Sequence, residues 1–308
     1  MKVLVTGGAG FIGSHIVDLL IDQGHQVAII DNFSTGNETN VNIKADLYRM
    51  DILDDAIISL FETFKPEVVI HHAAQIDIQS SIKKPAFDAS INIVGTVKML
   101  DACRAVGVRK FIYASSAAVY GNPQYLPVDE GHPVRPLSYY GISKHTPEHY
   151  LEVFAHQNDL DFTILRYANV YGIRQDPKGE GGVISIFIDK LLSNVEPKIY
   201  GDGEQTRDFI YVKDIARANI AALDHGSKGI YNISNNKQTT INELYNLISD
   251  FTNNNARPHY TNERSGDILH SVLDNSAALR DLRWEPQYTL RDGLRETCGY
   301  YLKHYFNK

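Results

Sequence analysis

The chain has 308 residues, enough for one large or two smaller domains around a sizeable core. Its composition, 43% hydrophobic and 22% charged, is that of an ordinary globular protein, and no apolar run reaches the length that spans a bilayer. The net charge of −7 argues against nucleic acid or a membrane surface as partner. With only Cys103 and Cys298, no disulfide framework is expected. His71-His72 lacks a second cluster of metal ligands, so the expectation is a cytoplasmic protein without a metal.

In chain order, Lys2–Thr6 reads as a first strand ending at a glycine turn, not as a signal peptide. Further short runs rich in β-branched residues follow at Gln26–Ile30, Leu47–Arg49, Val68–His71, Phe111–Ser115 and Phe162–Arg166. Amphipathic stretches at Ile12–Gln23, Leu53–Phe64 and Ile93–Val106 lie between them. Strands alternating with helices of this length predict right-handed βαβ units and a parallel sheet covered on both faces. After Ala168 the pattern loosens. Gly179-Glu180-Gly181-Gly182, Gly201-Asp202-Gly203, Asn235–Lys237 and Asn253–Asn255 punctuate a smaller, mixed α/β portion. The cleft between the two portions is the default place for chemistry.

Two groups of residues carry chemistry. Gly7, Gly10 and Gly13 follow the first strand and open a helix. Glycines there let the backbone approach a pyrophosphate at the positive end of that helix. Asp31, at the end of the second strand, can accept hydrogen bonds from both hydroxyls of an adenosine ribose. It would repel a 2′-phosphate, and no Arg neighbours it in sequence, which favours NAD over NADP; alternatively it is a plain turn carboxylate. Asp51-Ile52 follows the third strand, where an adenine edge would lie. The second group is Ser116, Tyr140 and Lys144. Tyr140-Gly-Ile-Ser-Lys144 puts an ammonium four residues beyond a phenol, on one helical face, where it lowers the phenol pKa. Ser116 could bridge the phenol and a substrate oxygen. With 18 Tyr in the chain, about one Tyr-x-x-x-Lys is expected by chance, and a plain helix-surface pair has the same spacing.

Ordered motifs run nearly the whole chain. They are Thr6-Gly-Gly-Ala-Gly-Phe-Ile-Gly13, Asp31-Asn-Phe-Ser-Thr-Gly36, Asp51-Ile52, His72-Ala-Ala-Gln75, Asn92 and Ser115-Ser-Ala-Ala-Val-Tyr-Gly121. Tyr140–Lys144, Arg166-Tyr-Ala-Asn-Val-Tyr-Gly172, Arg207-Asp-Phe-Ile-Tyr-Val212 and Arg264-Ser-Gly-Asp267 complete the set. The sequence resembles the extended short-chain dehydrogenase/reductases that act on nucleotide sugars. Within them it is most similar to the UDP-glucose (UDP-galactose) 4-epimerases. The resemblance implies a Rossmann-type doubly wound parallel sheet with a smaller C-terminal substrate domain. The NAD-binding domain would span residues 1–168, rejoined by about 209–235, and the nucleotide-sugar domain 169–208 and 236–308. It implies that Ser116, Tyr140 and Lys144 are catalytic. By position, Phe11, Ile12, Asp31, Asn32, Asp51, Ile52, Ala73, Ala74, Gln75, Asn92 and Tyr167 match cofactor contacts, with Tyr140 and Lys144 also near it. Asn169, Val183, Tyr200, Arg207, Arg264, Asp267 and Ser271 match UDP-sugar contacts. Independently, an Arg fork suits phosphate and a carboxylate suits ribose hydroxyls. Alternatively Arg207 pairs with Asp208, and Arg264 is a solvated loop cation.

The resembled scaffold hosts epimerases, dehydratases, decarboxylases and reductases, so the site must choose. Dehydratases of the family carry Asp-Glu just after the catalytic hydroxyl, and the decarboxylases also use an acid there. Here Ala117-Ala118 stand in those positions, which leaves oxidation and re-reduction of one carbon. A small residue at Ser271 implies room for 2-acetamido sugars. Rival readings are a 4-epimerase of UDP-glucuronate or a UDP-pentose, with Arg174 or Ser81 near C6, and a non-catalytic NAD-binding regulator. A homodimer through helices Asn92–Val106 and Ser143–Gln157 is implied by resemblance, although Ile93, Val97, Leu100 and Leu151 could equally be core. Pro147 falls within the helix of Tyr140, so a kink is expected there.

Overall fold

The computed structural model describes residues 1–177, 182–254, 256–264 and 267–306. The glycine turn at 179–181, Asn255 and the Ser265-Gly266 step lie outside the described residues.

The first half builds β1 (Lys2–Thr6), α1 (Phe11–Asp22), β2 (Gln26–Asp31), β3 (Asp46–Arg49), α2 (Ile57–Phe64) and β4 (Val68–His71). Then come α3 (Ile78–Lys83), α4 (Pro85–Ala89), α5 (Thr96–Val106), β5 (Lys110–Ser116), α6 (Tyr139–Asn158) and β6 (Asp161–Tyr167). The six expected strands form, within a residue or two at each end. Alternate strand residues face opposite layers: Val3 and Val5 pack with Ile16 and Ile29 on one side, and Leu4 with Ile30, Phe61 and Phe111 on the other. That is why these strands read as continuous apolar runs.

Two helices start later than expected. The carboxylates of Asp51 and Asp54 accept from the amides of Leu53 and Ala56, holding 53–56 in turns until α2 begins at Ile57. A π-helical turn, Ser90–Gly95, precedes α5. α6 stays helical through the buried Pro147. Proline lacks an N–H, so one rung is missing beside it, but the helix does not end there.

The second half continues with β7 (Asn169–Tyr171), α7 (Val183–Leu192), β8 (Lys198–Tyr200), β9 (Thr206–Arg207), β10 (Phe209–Tyr211), α8 (Val212–Ala221) and β11 (Gly229–Ile233). It ends with β12 (Thr239–Thr240), α9 (Ile241–Thr252), β13 (His259–Thr261) and α10 (Leu290–Phe306). β11 returns to the main sheet, whose order is β11-β6-β5-β4-β1-β2-β3, all parallel. The order reverses beside β1, which opens a crevice at the carboxyl ends of the strands. The short strands pair as β10 with β7, β12 with β9 and β13 with β8. They share a second core of Phe187, Ile188, Leu191, Leu244, Ile248 and Leu294. Among the described residues, no helix is long and apolar enough to cross a membrane.

Candidate active site

The turn after β1 is a cradle with no room for a side chain at Gly7 or Gly13. Gly7 has φ +69°, and a Cβ on Gly13 would lie 2.1 Å from the Gly7 carbonyl oxygen. Gly10 caps α1 without a side chain, so the first-turn amides of Phe11 and Ile12 are left for an anion. Asp31 is nearly buried; its Oδ2 accepts from the Ala9 amide at 2.9 Å and its Oδ1 from the Phe33 amide at 2.8 Å. The carboxylate is therefore locked beside the cradle rather than loose in a turn. Cradle and carboxylate together fit a dinucleotide with free ribose hydroxyls. One cation does approach in space: Arg49 lies opposite Asp31 in register. Its guanidinium is taken up by Glu38 at 2.5 Å and by the face of Phe33 at 4.3 Å.

Other residues matched to the cofactor separate into wall and support. Asn32 donates to Asp51 at 2.7 Å, closing the rim over β2 and β3. Ile52 is buried in the core, its side chain packed away from any ligand. Ala73 donates its amide to Thr6 Oγ1, which draws the Ala73-Ala74 segment close to Gly7. Gln75 turns its amide nitrogen inward to Asp88 Oδ1 at 2.7 Å, and Asn92 is 2% exposed. These two are tied to each other and to Asp88, which fixes the loop after β4. Tyr167 is also nearly buried, its hydroxyl held by Asn219 at 2.8 Å and its ring stacked on His72. His71 sits between Thr6 and Thr96 at 2.7 and 3.1 Å. Both histidines are thus built into the hydrogen-bonded core, and no cluster of metal ligands occurs among the described residues.

Ser116 ends β5 opposite Tyr167 and starts a 3₁₀ turn, Ala117–Val119, accepting from the Ala118 amide at 3.2 Å. The helix carrying Tyr140 and Lys144 is seated against this turn. Ser138 caps it, accepting from the Gly141 amide at 3.0 Å. A Cβ on Gly141 would lie 2.7 Å from the Ala118 carbonyl oxygen, so only glycine allows the approach. Lys144 is 4% exposed, with Nζ 4.7 Å from the centre of the Tyr113 ring. Burial lowers its pKa to about 8, against the opposing pull of Glu148 and Asp88. Asn92 donates to Ser143 Oγ at 2.9 Å, within the turn that spans Tyr140 and Lys144. Gly141, Ser143 and Asp88 were not singled out from sequence. A glycine in the first turn of a helix was a readable signal for the first; nothing in sequence pointed to the others.

The residues matched to the UDP-sugar gather in the smaller portion. The Arg264 guanidinium lies 3.8 Å from the centre of the Tyr200 ring, and its charge lowers the Tyr200 pKa through a hydrogen bond. It is therefore held in place, not a free loop cation. The Asp267 amide donates to the Arg264 carbonyl at 3.2 Å, and Ser271 donates its amide to Thr206 at 3.2 Å. Arg207 donates to the Thr206 carbonyl at 2.8 Å, with Asp267 as a nearby countercharge. Asp208 faces away, accepting from the amides of Asn235 and Leu273; burial raises its pKa to about 7. The Arg207–Asp208 pair is thus not formed. Asn169 is exposed at the start of β7, and Val183 opens α7. Connectivity ties the two groups: Tyr167 faces Ser116, and two residues on Asn169 faces Phe209, two residues after Arg207.

A glycine cradle at the carboxyl edge of a parallel sheet, with a turn bearing Ser116 packed against the helix of Tyr140 and Lys144, is the arrangement of a dinucleotide-dependent enzyme. A model of the NAD dependent epimerase/dehydratase family matches residues 3–234, and the chain belongs to that family. It is 40% identical over 308 residues, 98% of each chain, to the UDP-glucose 4-epimerase of Mycolicibacterium smegmatis. A UDP-glucose 4-epimerase of Thermotoga maritima, solved with UDP-glucose, superposes with a TM-score of 0.97 at 43% identity, covering 99% of both chains. A UDP-N-acetylglucosamine 4-epimerase of Methanobrevibacter ruminantium, solved with UDP-N-acetylmuramic acid, superposes with a TM-score of 0.94 at 38% identity, covering 98% of both.

Proposed function

We propose that this chain interconverts UDP-glucose and UDP-galactose and also accepts their 2-acetamido counterparts. At the coarser level it is an NAD-dependent UDP-sugar 4-epimerase, in keeping with its epimerase/dehydratase family and with full-length relatives that are UDP-glucose 4-epimerases. The single observation that carries the reading is the close approach of the Tyr140 helix to the Ser116 turn, where Ala117 and Ala118 bring no acid.

In this reading Tyr140 removes the proton from the sugar 4-hydroxyl, directly or through Ser116. Lys144, held as an ammonium, favours the phenolate. Bound NAD supplies an acceptor for the C4 hydride that can also return it. The Gly7–Gly13 cradle and Asp31 orient that cofactor. Arg207, Arg264 and Asp267 hold the UDP portion while the keto sugar presents its other face. Tyr140 then returns the proton. With no acid beside Ser116, water cannot be expelled from C6, which separates this site from a dehydratase.

Ser271, a small residue bonded to β9 through its backbone, supports acceptance of an acetamido group. Arg174, a candidate donor for an acid sugar, is instead paired with Asp18 at 2.8 Å, which favours neutral sugars over a uronate. We assign residues 1–168 and 209–235 to cofactor binding and 169–208 and 236–308 to the nucleotide sugar. A homodimer is supported by exposed apolar side chains across α4, the π turn and α6: Phe87, Val94, Tyr139, Ile142 and Val153. Leu100 and Leu151 are core and take no part in it. Incubation with a panel of UDP-sugars, followed by chromatography, tests the reading. UDP-glucose and UDP-galactose should interconvert and the acetamido pair should follow. UDP-glucuronate turning over in their place would overturn it.

A further inference from the structure

Behind the candidate catalytic residues lies a buried ion pair that the reaction scheme does not use. Glu148 is 2% exposed and lies one helical turn beyond Lys144 on α6. Its Oε1 accepts from Ser115 Oγ at 2.5 Å and from Arg166 Nε at 3.0 Å. Its Oε2 accepts from Arg166 Nη2 at 2.5 Å, and His145 Nδ1 lies at 3.1 Å. Arg166, 3% exposed, faces Ser115 in the β5–β6 register and donates to the Tyr120 hydroxyl at 3.0 Å. Ser115 is the residue before Ser116. The carboxylate thus joins the helix of Tyr140 and Lys144 to the strand that presents Ser116.

We propose that Glu148 is a positioning residue for the reaction: it keeps the buried Lys144 ammonium charged and fixes α6 in register with the strand bearing Ser116.

The charge argument follows from the neighbours of Lys144 on every side. From α6 Glu148 and from α4 Asp88 oppose its charge, that charge acts in turn on His71 at the end of β4 and on His72 just after it, its Nζ lies over the Tyr113 ring of β5, and Arg166 of β6 is paired with Glu148. Burial keeps both histidines neutral near pH 7, His72 at about 4 and His71 well below its ordinary value. Burial also keeps the Tyr113 phenol protonated. Two cations, Lys144 and Arg166, are therefore opposed by the carboxylates of Glu148 and Asp88. Burial opposes ionisation of Glu148, but hydrogen bonds from His145 and Arg166 hold its pKa at about 2, so it is charged throughout the working range. Residues four apart on a helix are neighbours, and a carboxylate at that distance raises an ammonium pKa. Without Glu148, the Lys144 pKa falls below about 8 and into the neutral range.

This rests on the part given to Lys144 above, and the test separates the two. Lysine Cε resonances of the purified protein, labelled with ¹³C and assigned with Lys144→Arg, report the Lys144 midpoint directly. The same samples give the pH profile of kcat/KM. Glu148→Gln leaves Arg166 unpaired, so the double variant Glu148→Gln/Arg166→Gln is made beside it. In Glu148→Gln the midpoint should fall by about one unit or more, in the double variant, which also removes the Arg166 charge, it should fall in the same direction by less, and the alkaline limb of kcat/KM should fall with it. Glu148→Asp, which keeps the charge, should stay within a few tenths of a unit of the parent, by the same reasoning. An unchanged midpoint in whichever Gln variant folds overturns the proposal, as does a one-unit fall in Glu148→Asp. A midpoint that moves while the alkaline limb stays supports the hold of Glu148 on Lys144 and overturns the catalytic part given to Lys144.

Discussion

Asn92 Nδ2 donates to Ser143 Oγ at 2.9 Å, a bond between residues 51 positions apart in the chain. The same amide group donates to the Gln75 carbonyl, and its Oδ1 accepts from the Gln75 amide at 2.8 Å. One buried side chain thus fastens the loop after β4 to the helix of Tyr140 and Lys144. Asn92→Ala leaves the half-buried Gln75 amide without its partner, a loss of about 1 kcal/mol. A lowered melting temperature together with reduced turnover is expected. Calorimetry and a turnover assay check both, and a variant with the parent's stability and rate would contradict the support role.

Tyr140→Phe removes the acid–base group and leaves the ring. General acid–base groups contribute roughly 10²–10⁴ in rate, and turnover should fall by that order. UDP-sugar affinity, carried by Arg207, Arg264 and Asp267, should persist in isothermal titration. Near-parental turnover would remove Tyr140 from the mechanism.

His15 is buried against Ile173, and burial, aided by the Arg174 charge, holds its pKa at about 4. The unfolded chain binds that proton near pH 6.5, so the unfolded state takes up more protons between pH 6.5 and 4. The stabilisation is complete above pH 6.5 and lost as pH falls through 4. Asp208, raised by burial to about 7, has the opposite slope, so the parent's own curve mixes the two. Comparison with His15→Gln isolates the histidine. The variant's stability deficit at pH 7 should shrink by up to roughly 3 kcal/mol at pH 4, read by urea unfolding at each pH. A deficit independent of pH would contradict the buried neutral state.

Ser271→Tyr places a ring where the acetamido side of the sugar is proposed to lie. UDP-glucose turnover should remain within several-fold of the parent, while UDP-N-acetylglucosamine turnover drops by ten-fold or more, because overfilling a packed site costs about 1–3 kcal/mol. Equal loss of both substrates would show that Ser271 does not discriminate.

Much of the fold was legible because the main sheet is covered on both faces, which leaves unbroken apolar runs such as Val68–His71 between amphipathic helices. The strands of the smaller portion are two or three residues long and alternate too briefly to be read; β12 is only Thr239–Thr240. The start of α2 was misjudged because Asp51 and Asp54 cap turns that carry the same apolar spacing as a helix. In the site, the groups brought together by local spacing, Gly7–Gly13 and Tyr140–Lys144, were readable. Support from distant segments was not. Asn92 to Ser143 and Glu148 to Ser115 join positions whose proximity depends on the packed sheet, so no local pattern announces them.

The central claim is that one sugar carbon is oxidised and reduced again. The most direct measurement is the product distribution from UDP-galactose incubated with the purified protein and NAD, followed by chromatography. An equilibrium mixture of UDP-galactose and UDP-glucose, with no net NADH formed, is the predicted result. Unchanged UDP-galactose, or a 4-keto-6-deoxy product, would contradict it.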